Sequence, residues 1–176
     1  MDTKEYLNPK NHKTMETVMT IQEQQQLTPT VSKEKFLRTY SPQKLLNSSQ
    51  SVKTYDEVFN TKAPSIARIK KEMGASFTTG YIKIWLVELN EMLNLRRPMT
   101  ESQITFAAQL ITDEFFGLKI SDLQLLFRKI LSGEYGELYE SLNPPKILTF
   151  FRNYLNERMN VGAEMSMRKH LEYKQL

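Results

Sequence analysis

Two histidines, His12 and His170, supply all the imidazole in this chain, and they lie near opposite ends of its 176 residues. Neither stands near a glycine-rich nucleophile turn, so a Ser/His/Asp relay has no seat. The absence of cysteine removes thiolate nucleophiles, thiolate metal sites and disulfides together. Asp113, Glu114 and Asp122 are near enough in sequence to share a cation, but Asp113 and Glu114 are adjacent and point to different helix faces. Glu134, Glu137 and Glu140 recur at intervals of three, the pattern of a solvated face. Gly133-Glu134-Tyr135-Gly136 lacks the lysine and the strand–helix setting of a phosphate loop. The expectation is a protein that is not an enzyme, with no catalytic residues, no cofactor and no metal.

The other candidates for function are surface groups. The net charge is +4, and three of those four charges fall on residues 61–133. Arg68, Lys70, Lys71, Arg96 and Arg97 are candidate contacts to phosphate or to a partner. Their density is below that of a dedicated DNA binder, so any nucleic-acid contact is expected to be weak. A helix-turn-helix over Ile66 to Leu89, with Gly74 in the turn, fails on its second helix. A recognition helix needs polar side chains, and this one reads Tyr81-Ile82-Lys83-Ile84-Trp85-Leu86. The connector from Gly133 to Tyr139 places two glycines and two tyrosines close together, which makes Tyr135, Gly136 and Tyr139 a candidate partner-binding segment.

The elements that must position these groups are helical. Pro64 suits a first helical turn, and Ile66, Ile69 and Met73 form a narrow stripe that Gly74 ends. From near Thr79 to Leu95 the apolar arc is so wide that a central, buried helix is expected, including Ile84, Val87 and Met92. After Pro98, Thr100-Glu101-Ser102-Gln103 matches a capping box, and Ile104, Ala107, Ala108, Ile111 and Phe115 follow at helical spacing. Gly117 is expected at the left-handed position that closes this helix. Ser121 or a neighbour caps the next, with Leu123, Leu126, Phe127 and Ile130 inward. Asn143-Pro144-Pro145 opens the last, whose apolar face is Ile147, Leu148, Phe151, Tyr154 and Leu155. Beyond Asn160 the pattern thins to Met165, Met167 and Leu171.

These signals give an all-α fold, a compact bundle of about five helices. Three segments are expected: a flexible arm over residues 1–60, the bundle over 61–160, and a helical extension or tail over 161–176. The arm carries Pro9, Pro29, Pro42 and the run Gln24-Gln25-Gln26, with apolar residues too sparse to offset its ordering entropy. Short helices are expected at Ser32 and at Ser41-Pro42. No apolar run approaches the roughly 18 residues of a membrane span, and the first residues have no secretory apolar core. A cytoplasmic protein without membrane association is expected.

The run Met99-Thr100, Gln103, Ile111, Phe115, Leu118-Lys119, Asp122-Leu123, Phe127, Gly133, Tyr135-Gly136, Leu138-Tyr139, Pro144, Ile147 and Arg158 resembles a family of small helical proteins. Members of that family are carried by phages and mobile elements of Bacteroides-type bacteria. The resemblance covers about Pro64 to Arg158 and implies a fold and a bacterial-host setting. A looser architectural likeness is to phage helicase loaders and inhibitors, in which a short bundle is joined to an arm that engages the motor. That likeness implies a non-enzymatic DNA-replication accessory whose protein partner is a replicative helicase or an initiator. The alternative is a virion component whose N-terminal arm threads along neighbouring subunits.

Overall fold

The computed structural model describes residues 32–48, 52–136 and 141–174, leaving aside the side chain of Tyr173. The expectations for residues 1–31 lie outside them. The chain divides into two units, Met1–Thr39 and Tyr40–Leu176. In the first, residues 32–39 form helix α1, which begins at Ser32 and ends with the Thr39 hydroxyl donating to the Lys35 carbonyl at 2.9 Å.

The second unit holds α2 (Pro42–Asn47), α3 (Tyr55–Asn60), α4 (Ile66–Met73), α5 (Ala75–Leu93), α6 (Glu101–Glu114), α7 (Ile120–Leu131) and α8 (Pro144–Lys174). The protein is all-α, and α4 to α8 are the five helices expected of the bundle. The unit starts earlier than residue 61. Ser41 caps α2 with Pro42 in its first turn, and Leu46 is buried. Thr54 and Glu57 form a reciprocal capping box on α3, whose Val58 is fully buried. The Gln124 side chain donates to the Leu45 carbonyl at 2.7 Å, joining α2 to α7.

α7 is the centre of the unit, packing against α2, α3, α5 and α8. Aromatic rings link the layers around it. Tyr81 meets Trp85 edge-on at 6.4 Å, Trp85 meets Phe127 at 5.1 Å, and Phe127 meets Phe151 at 6.3 Å. Phe115 joins Phe151 at 5.1 Å, so one chain of rings crosses α5, α7 and α8 and ends just past α6. Such T-shaped pairs add about 0.5–1.5 kcal/mol each beyond area burial.

Helix ends explain several differences from the sequence reading. Gly74 has φ 92°, a conformation that favours glycine, and α5 follows it at once from Ala75 rather than near Thr79. The first amides of α4 are taken by a loop: Ile66 N donates to Leu118 O and Ala67 N to Phe116 O, both at 2.8 Å. Pro64 is therefore outside α4, its carbonyl accepting from Ile120 N at 3.0 Å. α6 has the expected Thr100/Gln103 capping box but ends at Phe115, and Gly117 is not in the left-handed region. The left-handed cap belongs to Asn94, at the end of α5. Asn90 closes the α5–α6 turn by donating to Met99 O at 2.9 Å and accepting from Met99 N at 3.2 Å.

One expectation about burial is corrected. α5 is not buried all round: Ile84 is 39% and Val87 40% exposed, and Met92 is exposed at its end. Nineteen residues of helix need cover on all sides to bury such an arc, and α4, α6, α2 and α7 leave one strip open. α8 continues unbroken to Lys174. At 1.5 Å per residue its 31 residues run about 46 Å, far more than the rest of the unit packs against.

Candidate functional site: the polar brace and the open helix faces

The carboxylates considered for a shared cation are separated by the fold. Asp113 accepts from Lys70 Nζ at 3.0 Å, and Glu114 from Arg152 at 3.2 Å. Asp122 is buried elsewhere, beneath α8. Among the described residues no three metal-ligating side chains converge.

Asp122 is the centre of the densest polar chemistry in the protein. Its position at the third residue of α7 lets Oδ2 accept from Lys119 N at 2.7 Å, closing the helix start. Oδ1 accepts from Tyr154 hydroxyl at 2.9 Å and from Arg158 Nε at 2.7 Å. Tyr154 and Arg158 are four residues apart on α8, so one helix face delivers both donors. The Arg158 guanidinium also lies 5.0 Å from the centre of the Phe59 ring, on α3. Burial, then the Asp122 charge, pushes the Tyr154 hydroxyl far above the ordinary tyrosine range, so it remains a donor.

The Lys119 ammonium turns the other way, onto the end of α3. It donates to the carbonyls of Phe59 at 3.2 Å and Thr61 at 3.0 Å, with Val58 at 3.4 Å. A cation at a helix C-terminus satisfies orphan carbonyls and complements the dipole. Ser121, expected as a cap, is buried and shares a hydrogen bond with the Thr61 hydroxyl at 2.8 Å.

Beside this lies a second cluster around Glu157. Its carboxylate accepts from Tyr55 at 2.7 Å, from Lys129 at 2.9 Å and from Tyr135 at 3.3 Å. Burial works against the Glu157 charge, but the Tyr55 and Lys129 hydrogen bonds outweigh it and hold the carboxyl below its usual value. Lys129 also pairs with Glu134 at 2.9 Å and sits 5.5 Å from both the Tyr55 and Tyr135 rings. Burial opposes its charge, and the hydrogen bonds to Glu134 and Glu157 raise its pKa nonetheless. Donors from the chain itself reach both carboxylate oxygens of Asp122 and one of Glu157. The arrangement is a brace that fixes α3 and the connector to the base of α8.

Among the connector residues singled out from sequence, Tyr135 is half-buried, stacked on Phe150 at 5.7 Å with its hydroxyl turned into the Glu157 cluster. Gly136 has φ 90° and donates to Gly133 O at 2.9 Å, tightening the turn. Tyr139 lies outside the described residues.

The five basic residues fall into two groups. Arg68 is paired with Glu72 at 2.7 Å and Lys70 with Asp113 at 3.0 Å, both in exposed pairs. Lys71 has no ion-pair partner among the described residues, and the same holds for Arg96. Arg97 accepts from Leu142 N at 3.2 Å through its carbonyl. Lys70 reaches the end of α6 at Asp113, whereas Arg96 and Arg97 precede its start at Glu101. One α6 length, about 20 Å, separates the groups.

The open surface that remains is apolar. On α5, Ile84 and Val87 lie one turn apart, with Glu88 and Glu91 following them. On α8 no described side chain is buried after Tyr154. Met159, Ala163, Met167 and Leu171 recur every four residues along that end, with Met167 at 68% and Leu171 at 55% exposed. Sequence reasoning had the Met167 and Leu171 signal but not the brace, whose pairs Asp122–Arg158 and Tyr55–Glu157 are far apart in the chain. No family model, curated protein or solved structure matches this chain.

Proposed function

We propose that this protein is a non-enzymatic interaction module that presents the outer part of α8 to another macromolecule. The observation that carries this reading is the length of α8 past Gly162, which lies against the Phe59 ring: twelve residues, about 18 Å of helix, with every described side chain but Met165 exposed. A helix of that length is marginal in water when nothing packs on it. Here its base is held by Asp122 and Glu157, so the exposed end has a fixed origin. Its apolar residues fall at intervals of four, the spacing by which a helix is read in a groove.

The specific role proposed is a phage or mobile-element replication accessory, a loader-like adaptor that docks the replicative helicase or an initiator. The support is the architectural likeness to phage helicase loaders and inhibitors, a short helical bundle joined to an arm, together with the phage and mobile-element setting that the resemblance over Pro64 to Arg158 implies. The test mixes the purified chain with the host's replicative helicase. A complex that is lost in a Met167→Glu/Leu171→Glu variant is expected; no complex with helicase or initiator refutes the role. Detection of the chain in purified virions would favour a packaged component instead.

A further inference from the structure

The open strip on α5 and the outer end of α8 are matched in more than apolarity. On α5, Ile84 and Val87 are followed by Glu91, with Glu88 at the edge, and neither glutamate has an ion-pair partner among the described residues. On α8, Met167 and Leu171 are followed by Lys174, with His170 and Arg168 at the two edges, and these too are exposed. Each surface spans one heptad, from Ile84 to Glu91 and from Met167 to Lys174. We propose that the occupant of the α5 strip is the outer α8 of a second copy of this chain, bound head to tail. In a parallel register Met167 meets Ile84, Leu171 meets Val87, and Lys174 meets Glu91.

Three physical points support this pairing over a symmetric one. Two α5 strips packed in parallel would bring Glu88 and Glu91 against their own copies, a like-charge contact that opposes association, and two packed antiparallel would leave the outer α8 uncovered. The two glutamates already repel each other: partial burial and then Glu91 raise the Glu88 pKa within one molecule. Two α8 ends side by side would leave the α5 strip uncovered. Head-to-tail docking covers both surfaces and sets lysine against glutamate. Because the two surfaces differ, the contact is heterologous, and it propagates into a ring or an open filament.

The inference rests on the reading of α8 as a presented helix, but it concerns this chain alone and needs no other protein. Sedimentation equilibrium on the full chain is expected to show a mass that rises with concentration. A Val87→Lys/Glu91→Lys variant, with the α5 strip spoiled, is expected to remain monomeric, as is a Met167→Glu/Leu171→Glu variant with α8 spoiled. All four residues are exposed, so unchanged circular dichroism and melting temperature are expected for both. Mixing the two variants restores one intact contact, and the mass is expected to double and rise no further. A monomeric wild type, an α5 variant that still associates, or a mixture that stays monomeric would each overturn the proposal. A monomeric wild type that nonetheless binds helicase through Met167 and Leu171 would leave the adaptor role standing while removing self-assembly.

Discussion

Replacing Asp122 with alanine should be among the most damaging single changes in the protein. The side chain is fully buried and accepts from Lys119 N, Tyr154 hydroxyl and Arg158 Nε. Removing one partner of a buried ion pair costs about 3–5 kcal/mol, because the other charge is left without compensation. Arg158 keeps 21% of its side chain exposed, so its guanidinium regains some water and the lower end applies. The orphaned tyrosine hydroxyl and amide add about 1 kcal/mol each. The total is about 5 kcal/mol, a third or more of the roughly 5–15 kcal/mol expected for a domain. At about 2–4 °C per kcal/mol, the melting temperature should fall by about 10–20 °C. Urea unfolding read through the single tryptophan, Trp85, which is buried beside Phe127, measures the loss directly. An Arg158→Met variant should cost a similar amount, and the double variant less than the sum by about 2 kcal/mol or more. An Asp122→Ala cost below about 1 kcal/mol, or singles that simply add, would refute the brace.

Four other outcomes are expected. The Glu157 carboxyl is held below its usual value, so its contribution is present above about pH 4.3, the ordinary glutamate value, and is lost as pH falls through the lower folded value. A Glu157→Gln variant should therefore lose less melting temperature between pH 7 and pH 3 than the wild type; equal losses would count against the cluster. Lys119→Met should cost about 1–2 kcal/mol in urea unfolding by freeing the carbonyls at the end of α3, and early amide exchange at residues 55–61 should accompany it. Gly80 lies inside α5 with open space where a Cβ would stand, so Gly80→Ala should stabilise by about 0.5–1 kcal/mol. Gly74, at φ 92°, should respond oppositely, with Gly74→Ala costing about 1–2 kcal/mol.

The sequence is most readable where signals are local. Ser41-Pro42, Gly74, the Thr100/Gln103 capping box and the opening of α8 all lie within a few residues, and each marks a helix end close to where it occurs. Thr54-x-x-Glu57 is the same motif as Thr100-x-x-Gln103, and it marks α3 inside a segment that composition assigns to the arm. Gly117 shows the limit of local rules. Phe116 and Leu118 turn their carbonyls to α4, and that long-range pairing decides the backbone there. Burial of Ile84 and Val87 depends on which neighbours α5 receives, which periodicity does not encode. The brace is invisible for the same reason. Lys119 and Asp122 read as an ordinary helix start, and only the fold brings Arg158 and Tyr154 onto them.

The central claim is that the outer turns of α8 are a contact surface. A photo-crosslinking residue placed at Leu171, compared with one at the exposed Lys169 on the opposite side of the same helix, tests it in the native host. The account predicts discrete protein adducts from position 171, to a second copy or to another protein, and few from position 169. Equal, diffuse labelling from both positions would contradict it.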